Sequence, residues 1–337
     1  MLRTAAMRWL LLVALVVVGG AGCGSKNTEP PPLPVEDAGL GGDGGLDPAE
    51  LAARFDKKCV AGDLEACRNL GVMYAEGQGV LPDPRRATAL FGQACTGGNL
   101  SACNHLALAY AEGMGVDRDP RKAVTTYQKA CDGGFKLACR NLGLVLRDGH
   151  GVPADLPRAE QLLDLACKGN VPFACTNAGD LDAALAGKGG PVRWKQAIAH
   201  YKAGCDSGDP TGCRQLGLAY LEGAGLPKST TAAAVWLERA CVADEPLACR
   251  VLGAMQMQGI GMPKDVDRGR QLIERACKAK DADACKLLAE PGAGSGSAGS
   301  GSAGSGSGTG TGSGSGSGAA AGAGSGVSGS GAPPKPM

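Results

Sequence analysis

The sequence is poor in aromatic residues, in net charge and in histidine. Aromatic residues make up 4% of the 337 residues, so a core must be built from alanine, leucine, valine and other small residues, which suits closely packed helices. The formal net charge is +1, so bulk electrostatics give no reason to expect a nucleic acid or an acidic partner. With three histidines and no C-x2–4-C spacing, the sequence lacks the signature of a zinc site. We expect neither a metal nor a cofactor.

The sequence also lacks an apolar run long enough to span a membrane. The run Trp9–Val18 has ten residues, whereas a transmembrane helix needs about 20. Arg3 and Arg8 lie before this run, as in the positively charged region of an export signal. Residues 1–22 are therefore predicted to be a signal peptide.

The residues around Cys23 resemble the cleavage site of a bacterial lipoprotein signal. The small residues Ala21 and Gly22 precede the cysteine, although Gly20 stands where a Leu-like residue is usual. The resemblance implies cleavage before Cys23 and lipidation of its thiol. Because Gly24 is not the Asp that retains lipoproteins at the inner membrane, it also implies an outer-membrane lipoprotein. The alternative is an ordinary signal peptide followed by an unrelated cysteine.

Two segments have compositions that cannot bury a core. Residues 23–48 are rich in Pro and Gly and are predicted to be a disordered tether. Residues 291–337 are almost wholly Gly, Ser and Ala and are predicted to be a flexible tail, to which we assign no site. The foldable part of the chain is therefore residues 49–290.

The chain is rich in cysteine, and fourteen of its fifteen cysteines recur in a fixed frame. Each pair brackets seven residues, and successive pairs begin 36 residues apart, except for one interval of 38 residues. A constant period of this length is the signature of a stacked repeat protein. The pairs are Cys59 and Cys67, Cys95 and Cys103, Cys131 and Cys139, Cys167 and Cys175, Cys205 and Cys213, Cys241 and Cys249, and Cys277 and Cys285.

Each repeat contains two stretches with helical periodicity. In the first, which we name the A helix, Ala66, Leu70 and Tyr74 share one face. In the second, the B helix, Ala87 and Phe91 begin the same spacing. A pair of this length cannot bury its apolar face alone, so the pattern predicts an all-α fold, an α/α solenoid of about six 36-residue helix pairs. Each A helix is predicted to end at a Gly-x-Gly: Gly77 and Gly79, Gly113 and Gly115, Gly149 and Gly151, Gly187 and Gly189, Gly223 and Gly225, and Gly259 and Gly261.

The position after the recurring A-helix leucine is always small. A glycine inside a helix costs about 1 kcal/mol relative to alanine, so we expect a neighbouring helix to approach closely there. The residues are Gly71, Ala107, Gly143, Gly179, Gly217 and Gly253. The fourth unit is irregular, with two extra residues and with Asp180 and Asp182 where other units have mostly Leu and Tyr, and we expect a local change of curvature.

The alternation A-C-x-x-L-G-x-x-Y-x-x-G-x-G-V, followed by A-x-x-x-[FYL]-x-x-A-C, resembles the Sel-like repeat, a short relative of the tetratricopeptide repeat. The cysteine frame is similar to that of the cysteine-rich, secreted bacterial branch of this family. The resemblance covers about residues 49–290. It implies a right-handed superhelix of helix pairs, expected to be a monomer, that serves as a scaffold for protein or peptide partners.

An exported protein meets an oxidising compartment, so the paired cysteines are expected to form disulfides. The residues leave two pairings open. The local pairing joins the end of a B helix to the start of the next A helix, as in Cys95–Cys103, and uses all fourteen cysteines. The hairpin pairing joins an A helix to the end of its own B helix, as in Cys67–Cys95, and leaves Cys59 and Cys285 alone. The resemblance implies the local pairing, and we expect a solenoid stapled in this way.

The alternative function is a β-lactam-binding protein or a weak β-lactamase-like hydrolase, because some relatives of this branch carry such labels. Serine β-lactamases require S-x-x-K, S-D-N and K-T-G, and the sequence contains none of them. Ser101 and Ser207 lie in cysteine loops, where capping or turn roles are typical. His105, His150 and His200 occupy different repeat positions. We therefore predict that the protein is not an enzyme.

The concave face of a helical-repeat solenoid is usually lined by one helix of each pair, here the A helix. Mostly amide side chains recur two residues after the A-helix cysteine, and they could bind the backbone of an extended peptide. The alternative is that they only cap or solvate the helix. The residues are Asn69, His105, Asn141, Asn177 and Gln215, and the arginines one position earlier, expected to form a basic rim, are Arg68, Arg140, Arg214 and Arg250.

Overall fold

The computed structural model of the chain describes residues 47–189 and 191–289. The predicted signal peptide, Cys23, nearly all of the tether and the tail from residue 290 lie outside these residues. What the sequence predicts for those segments therefore remains a prediction.

The described residues form fourteen α-helices and contain no strand, which confirms the predicted all-α solenoid. Odd-numbered helices are B helices, even-numbered helices are A helices, and each helix packs against its neighbours in the sequence. The helices are α1 (Pro48–Val60), α2 (Leu64–Glu76), α3 (Pro84–Thr96), α4 (Leu100–Glu112), α5 (Pro120–Asp132), α6 (Lys136–Asp148), α7 (Leu156–Lys168), α8 (Ala174–Gly189), α9 (Pro191–Asp206), α10 (Pro210–Glu222), α11 (Thr230–Val242), α12 (Pro246–Gln258), α13 (Val266–Lys278) and α14 (Ala282–Ala289).

The ends of the regular helices follow from short local signals. A B helix such as α3 begins after Asp83, whose carboxylate accepts a hydrogen bond from the backbone N–H of Arg86, and Pro84 supplies a preset φ at its first position. An A helix such as α4 ends at Gly113, which adopts a φ of +77°. The second glycine of that turn, Gly115, lies against the preceding B helix, and a Cβ there would be 2.1 Å from the Pro84 carbonyl oxygen.

Small residues let the A and B helices of one unit pack closely. A Cβ on Gly71 would lie 2.6 Å from the Phe91 ring, and one on Gly217 would lie 2.7 Å from Leu237 Cγ. On Gly253 it would lie 2.6 Å from the backbone oxygen of Gly269. The close approach predicted at these positions is confirmed. The core between the helices consists mainly of alanine, leucine and disulfide-bonded cysteine.

Successive A helices lie close together. Cα atoms of α4, α6, α8 and α10 come within 8 Å in succession. The short side chains of Asn104 and Asn141 reach each other across two A helices, with Nδ2 of Asn141 2.9 Å from Oδ1 of Asn104. The B helices α11 and α13 are instead bridged by a long arginine, Arg268, which donates to Glu238 at 3.2 Å. Because α4, α6, α8 and α10 approach one another more closely than the B helices do, we infer that the array is concave on the A side.

The fourth unit departs from the others. Its A helix α8 continues through Gly187 and ends at Gly189, so the helix ends within the predicted Gly-x-Gly but the turn expected to begin at Gly187 is absent. Only three residues separate Gly187 from Pro191, which begins α9, whereas six separate Gly77 from Pro84. The chain is too short there to form the turn and loop of the other units. The expected change of curvature at this unit stays a prediction.

We predict that Gly253→Ala destabilises the protein by about 1–3 kcal/mol, because the added methyl group meets backbone of the neighbouring helix. Gly92→Ala is the matched control. Gly92 is also inside a helix, but a Cβ there meets nothing within 4 Å, so this change should stabilise by up to about 1 kcal/mol. Urea unfolding of the two variants measures the difference. Equal effects of the two substitutions would contradict the close packing at Gly253.

Candidate functional site

All fourteen cysteines of the described residues are in disulfides, and each disulfide joins two cysteines eight positions apart. This is the local pairing, between the end of a B helix and the start of the next A helix. The Cα atoms of each pair lie 4.5–4.8 Å apart. The described cysteines therefore offer no free thiol for redox or nucleophilic chemistry. The bridges are Cys59–Cys67, Cys95–Cys103, Cys131–Cys139, Cys167–Cys175, Cys205–Cys213, Cys241–Cys249 and Cys277–Cys285.

The predicted binding residues lie half-buried along the A helices, where they contact the next unit. At two junctions, the residue directly after the A-helix cysteine of one unit hydrogen-bonds to the residue two positions after the A-helix cysteine of the next unit. Asn141 donates to Asn104, and the Nε of Arg140 donates to Oδ1 of Asn177 at 2.8 Å. We call this row of contacts between successive A helices the A-helix ladder. Sequence reasoning missed Asn104, which could have been noticed as an amide at a position where four other units have arginine.

The ladder differs at its two ends. Near the N-terminus, the same register brings Arg68 towards His105, and His105 stacks on Phe91 with ring centroids 4.9 Å apart. Burial, with a contribution from Arg68, lowers the pKa of His105 to about 4. The Nε of Arg68, Oδ1 of Asn69 and Nδ1 of His105 are buried without a hydrogen-bond partner. In the fifth unit, Gln215 donates to Asp180 at 2.8 Å.

Three of the four predicted rim arginines are neutralised within the chain. Arg68 pairs with Glu65 on its own helix. The Nε of Arg214 lies 3.0 Å from Glu245, as an ion pair rather than an aligned hydrogen bond. Arg250 donates to Asp281 at 3.0 Å. Among the described residues, no carboxylate lies within ion-pair distance of Arg140.

A second polar cluster is buried in the fourth unit between α8 and α9. The Asp182 side chain is 1% exposed and lies 2.8 Å from Nδ1 of His200 and 3.2 Å from Nη1 of Arg193. Arg193 also pairs with Glu160 on α7, and Asp164 of α7 lies 3.6 Å from Nε2 of His200. The hydrogen bond to Asp182 raises the pKa of His200, although burial opposes this.

Sequence reasoning missed this cluster, although two departures from the repeat pattern indicate it. Asp182 replaces the Tyr found at the same A-helix position in three other units, and His200 replaces the Leu of position Leu90 in the B helix. Both changes fall in one unit, where a buried acid needs a buried base. An open pocket of about 470 Å³ beside the cluster is lined by Glu160, Asp164 and His200, among others.

Two serines of the repeat region make local hydrogen bonds. Ser207 donates to the Gly204 carbonyl oxygen at 2.8 Å, and Ser229 accepts from the N–H of Ala232 as a helix cap. Across residues 47–189 and 191–289, no group of His, Cys, Asp and Glu side chains is arranged to hold a metal ion. Over the same ranges, no helix combines the length and apolarity needed to cross a membrane.

The family model of the Sel1 repeat matches residues 64–99, 100–135, 136–171, 210–241 and 246–281, which is about half of the chain. The chain therefore belongs to the Sel1 repeat family. The stretch that the model leaves out between its third and fourth matches is the irregular fourth unit. A solenoid of Sel1 repeats suggests a scaffold for protein–protein interaction.

Solved structures agree with this fold. The chain is similar to a protective antigen of uropathogenic Escherichia coli that displays an SLR fold, at 26% identity and a TM-score of 0.60, over 69% of this chain and 50% of that one. It thus spans half the length of that structure. It is also similar to a Sel1 repeat protein from Oxalobacter formigenes, at 22% identity and a TM-score of 0.57, over 69% of this chain and 97% of that one. No curated protein sequence matches the chain.

We predict that the Asp182–His200 contact makes stability depend on pH. Because the pKa of His200 is raised in the folded state, its contribution is fully present below the ordinary histidine pKa of about 6.5. That contribution is lost as the pH rises through the folded-state value. In urea unfolding, the stability difference between wild type and His200→Gln should therefore be largest in mild acid and shrink in mild alkali. His150→Gln, at an exposed histidine, should follow wild type throughout. Parallel curves for wild type and His200→Gln would contradict this assignment.

Proposed function

We propose that this protein is a lipid-anchored, extracytoplasmic scaffold that binds protein or peptide partners in the groove lined by its A helices. The observation that carries the proposal is the A-helix ladder. It places amide and guanidinium groups in a row along α4, α6 and α8, on the side of the solenoid that we infer to be concave. Such groups can donate to and accept from the backbone of an extended chain.

Hydrogen bonds within the chain also limit the movement of the side chains that line the groove. Asn104, Asn141, Arg140 and Asn177 are held by one another, so their positions are fixed before a partner arrives. A preorganised surface loses less conformational entropy on binding. Asn104 is buried, but the half-buried amides of Asn141 and Asn177 retain further donor or acceptor capacity and can still contact a partner.

The cysteines support the proposed location outside the cytoplasm. Seven disulfides within the described residues suggest an oxidising environment outside the cytoplasm. Attachment to the outer membrane rests on the lipoprotein-like sequence at Cys23, which is outside the described residues. A diacylated cysteine with a further N-acyl chain would bury enough CH₂ groups for stable anchoring. Cell fractionation of Cys23→Ser, with Thr28→Ala as the control, tests this part.

The groove is tested by selection from a library of peptides displayed without free termini, using the full chain as bait. Wild type should enrich a defined set of peptides. The double variant Asn69→Ala with Asn141→Ala should bind that set at least about tenfold more weakly, because it removes groove hydrogen bonds. The matched control changes two amides of the B helices, Gln93→Ala with Gln128→Ala, and should bind as wild type does.

Thermal melting of the same variants separates binding from folding. Because Asn141→Ala leaves the buried Asn104 without its partner, Asn104→Ala, which breaks the same hydrogen bond, gives the fall in melting temperature expected from folding alone. If the A-helix double variant loses binding while its melting temperature falls no further than that of Asn104→Ala, the amides contact the partner. If it binds as wild type does, or if Asn104→Ala loses binding equally, these positions are structural and the proposed groove is wrong. If wild type enriches no peptide, the proposal of a peptide-binding scaffold fails.

A further inference from the structure

Arg140 is an exception among the arginines of the A-helix ladder. Arg214 and Arg250 occupy the same position in later units, and each pairs with a carboxylate that lies 31 residues further along the chain, Glu245 and Asp281. That residue precedes the next A helix and caps it. The same contact therefore joins successive units at two places, whereas Asn99 stands 31 residues after Arg68 and Arg68 pairs with Glu65 instead.

The contact is missing at Arg140 because the irregular fourth unit lacks the acid. The residue 31 positions after Arg140 is Val171. Arg250 also has a second carboxylate nearby, Asp283, at 3.9 Å, and the residue equivalent to Asp283 is Phe173. Where Arg250 has two carboxylates, Arg140 thus has two apolar side chains, and the second of these positions is also apolar beside Arg214, as Leu247.

The surroundings of Arg140 leave its charge without a counterion. Its Nε donates to the neutral amide of Asn177, and its Cζ lies 6.0 Å from the centre of the Phe173 ring. Its two terminal nitrogens donate to no described residue. Burial lowers the pKa of Arg140, with a further contribution from Arg147, and the more distant Asp209 opposes this only in part. A partly desolvated cation without a paired anion is costly, so an external carboxylate would be favoured here.

Phe173 adds an apolar contact beside this charge. Its side chain is 47% exposed and its backbone adopts a φ of +61°, in the left-handed region that a bulky residue rarely occupies. An exposed phenylalanine ring next to an arginine combines two residue types that are enriched at protein interfaces.

We propose that Arg140 and Phe173 form a subsite for the acidic side chain of an extended peptide partner, with an apolar residue of the peptide packed on the Phe173 ring. The peptide carboxylate would take the place that Asp281 takes beside Arg250 and would bind the two terminal nitrogens of Arg140. This inference rests on the proposed function, since it names the partner chemistry of the same groove.

The test uses the pools of displayed peptides enriched by the full-length chain and by four variants. Wild type should enrich peptides with Asp or Glu beside an apolar residue. Arg140→Gln removes the charge, and Val171→Asp supplies an internal partner while leaving every groove side chain in place. Both should lose the acidic preference. Val171→Asn is the matched neutral control and should keep it, as should Arg214→Gln, because Arg214 is already paired.

An enriched peptide is then synthesised with both ends capped, together with its Glu→Gln form and a Gln form with a free C-terminal carboxylate. The capped acidic peptide should bind wild type at least about tenfold more tightly than its Gln form. With Val171→Asp that ratio should fall to about one, and the melting temperature should not fall.

The outcomes separate the two proposals. Enrichment of peptides without acidic residues, or an acidic preference that survives in Val171→Asp, overturns the subsite and leaves the scaffold function standing. Tight binding of the form that carries only a terminal carboxylate also overturns the assignment to an acidic side chain. If wild type enriches nothing, the scaffold function fails and the subsite fails with it.

Discussion

The junction between each B helix and the following A helix is the constraint on which the solenoid depends. Every junction in the described residues is a nine-residue ring closed by a disulfide, such as Cys131–Cys139. Aromatic residues are only 4% of the chain, so the core between units is made of small side chains that each bury little area. The disulfide fixes the direction in which the next A helix leaves, and this sets where the A-helix ladder forms.

The fourth unit shows what happens when the repeat pattern is relaxed at one place. Val171 removes the acid that would neutralise Arg140, and Asp182 introduces a buried carboxylate that His200 and Arg193 hold. The first change leaves a charge available on the A-helix side, whereas the second is satisfied within the chain. The family model also omits this unit, so the departure in sequence coincides with the departure in structure.

Much of the fold could be predicted from the sequence, because the repeat multiplies each local signal six times. The close approach at Gly71 and its equivalents followed from a glycine recurring inside a helix. The candidate site was less predictable. The position of Asn141 was predicted, but its bond to Asn104 was not, because contacts between units depend on the register of stacking. The continuation of α8 through Gly187 was missed because a turn signal was given more weight than the length of the connection.

The most direct test of this account compares the melting temperatures of the oxidised and the reduced chain. The masses of cross-linked peptides from the oxidised chain then identify the pairing of the cysteines. In the loop-entropy model each nine-residue ring contributes about 2.5 kcal/mol. Even half of that, summed over seven bridges, rivals a typical net stability of about 5–15 kcal/mol. We predict seven local cross-links and a large fall in melting temperature on reduction. An unchanged melting temperature, or a peptide that joins Cys67 to Cys95, would contradict the account.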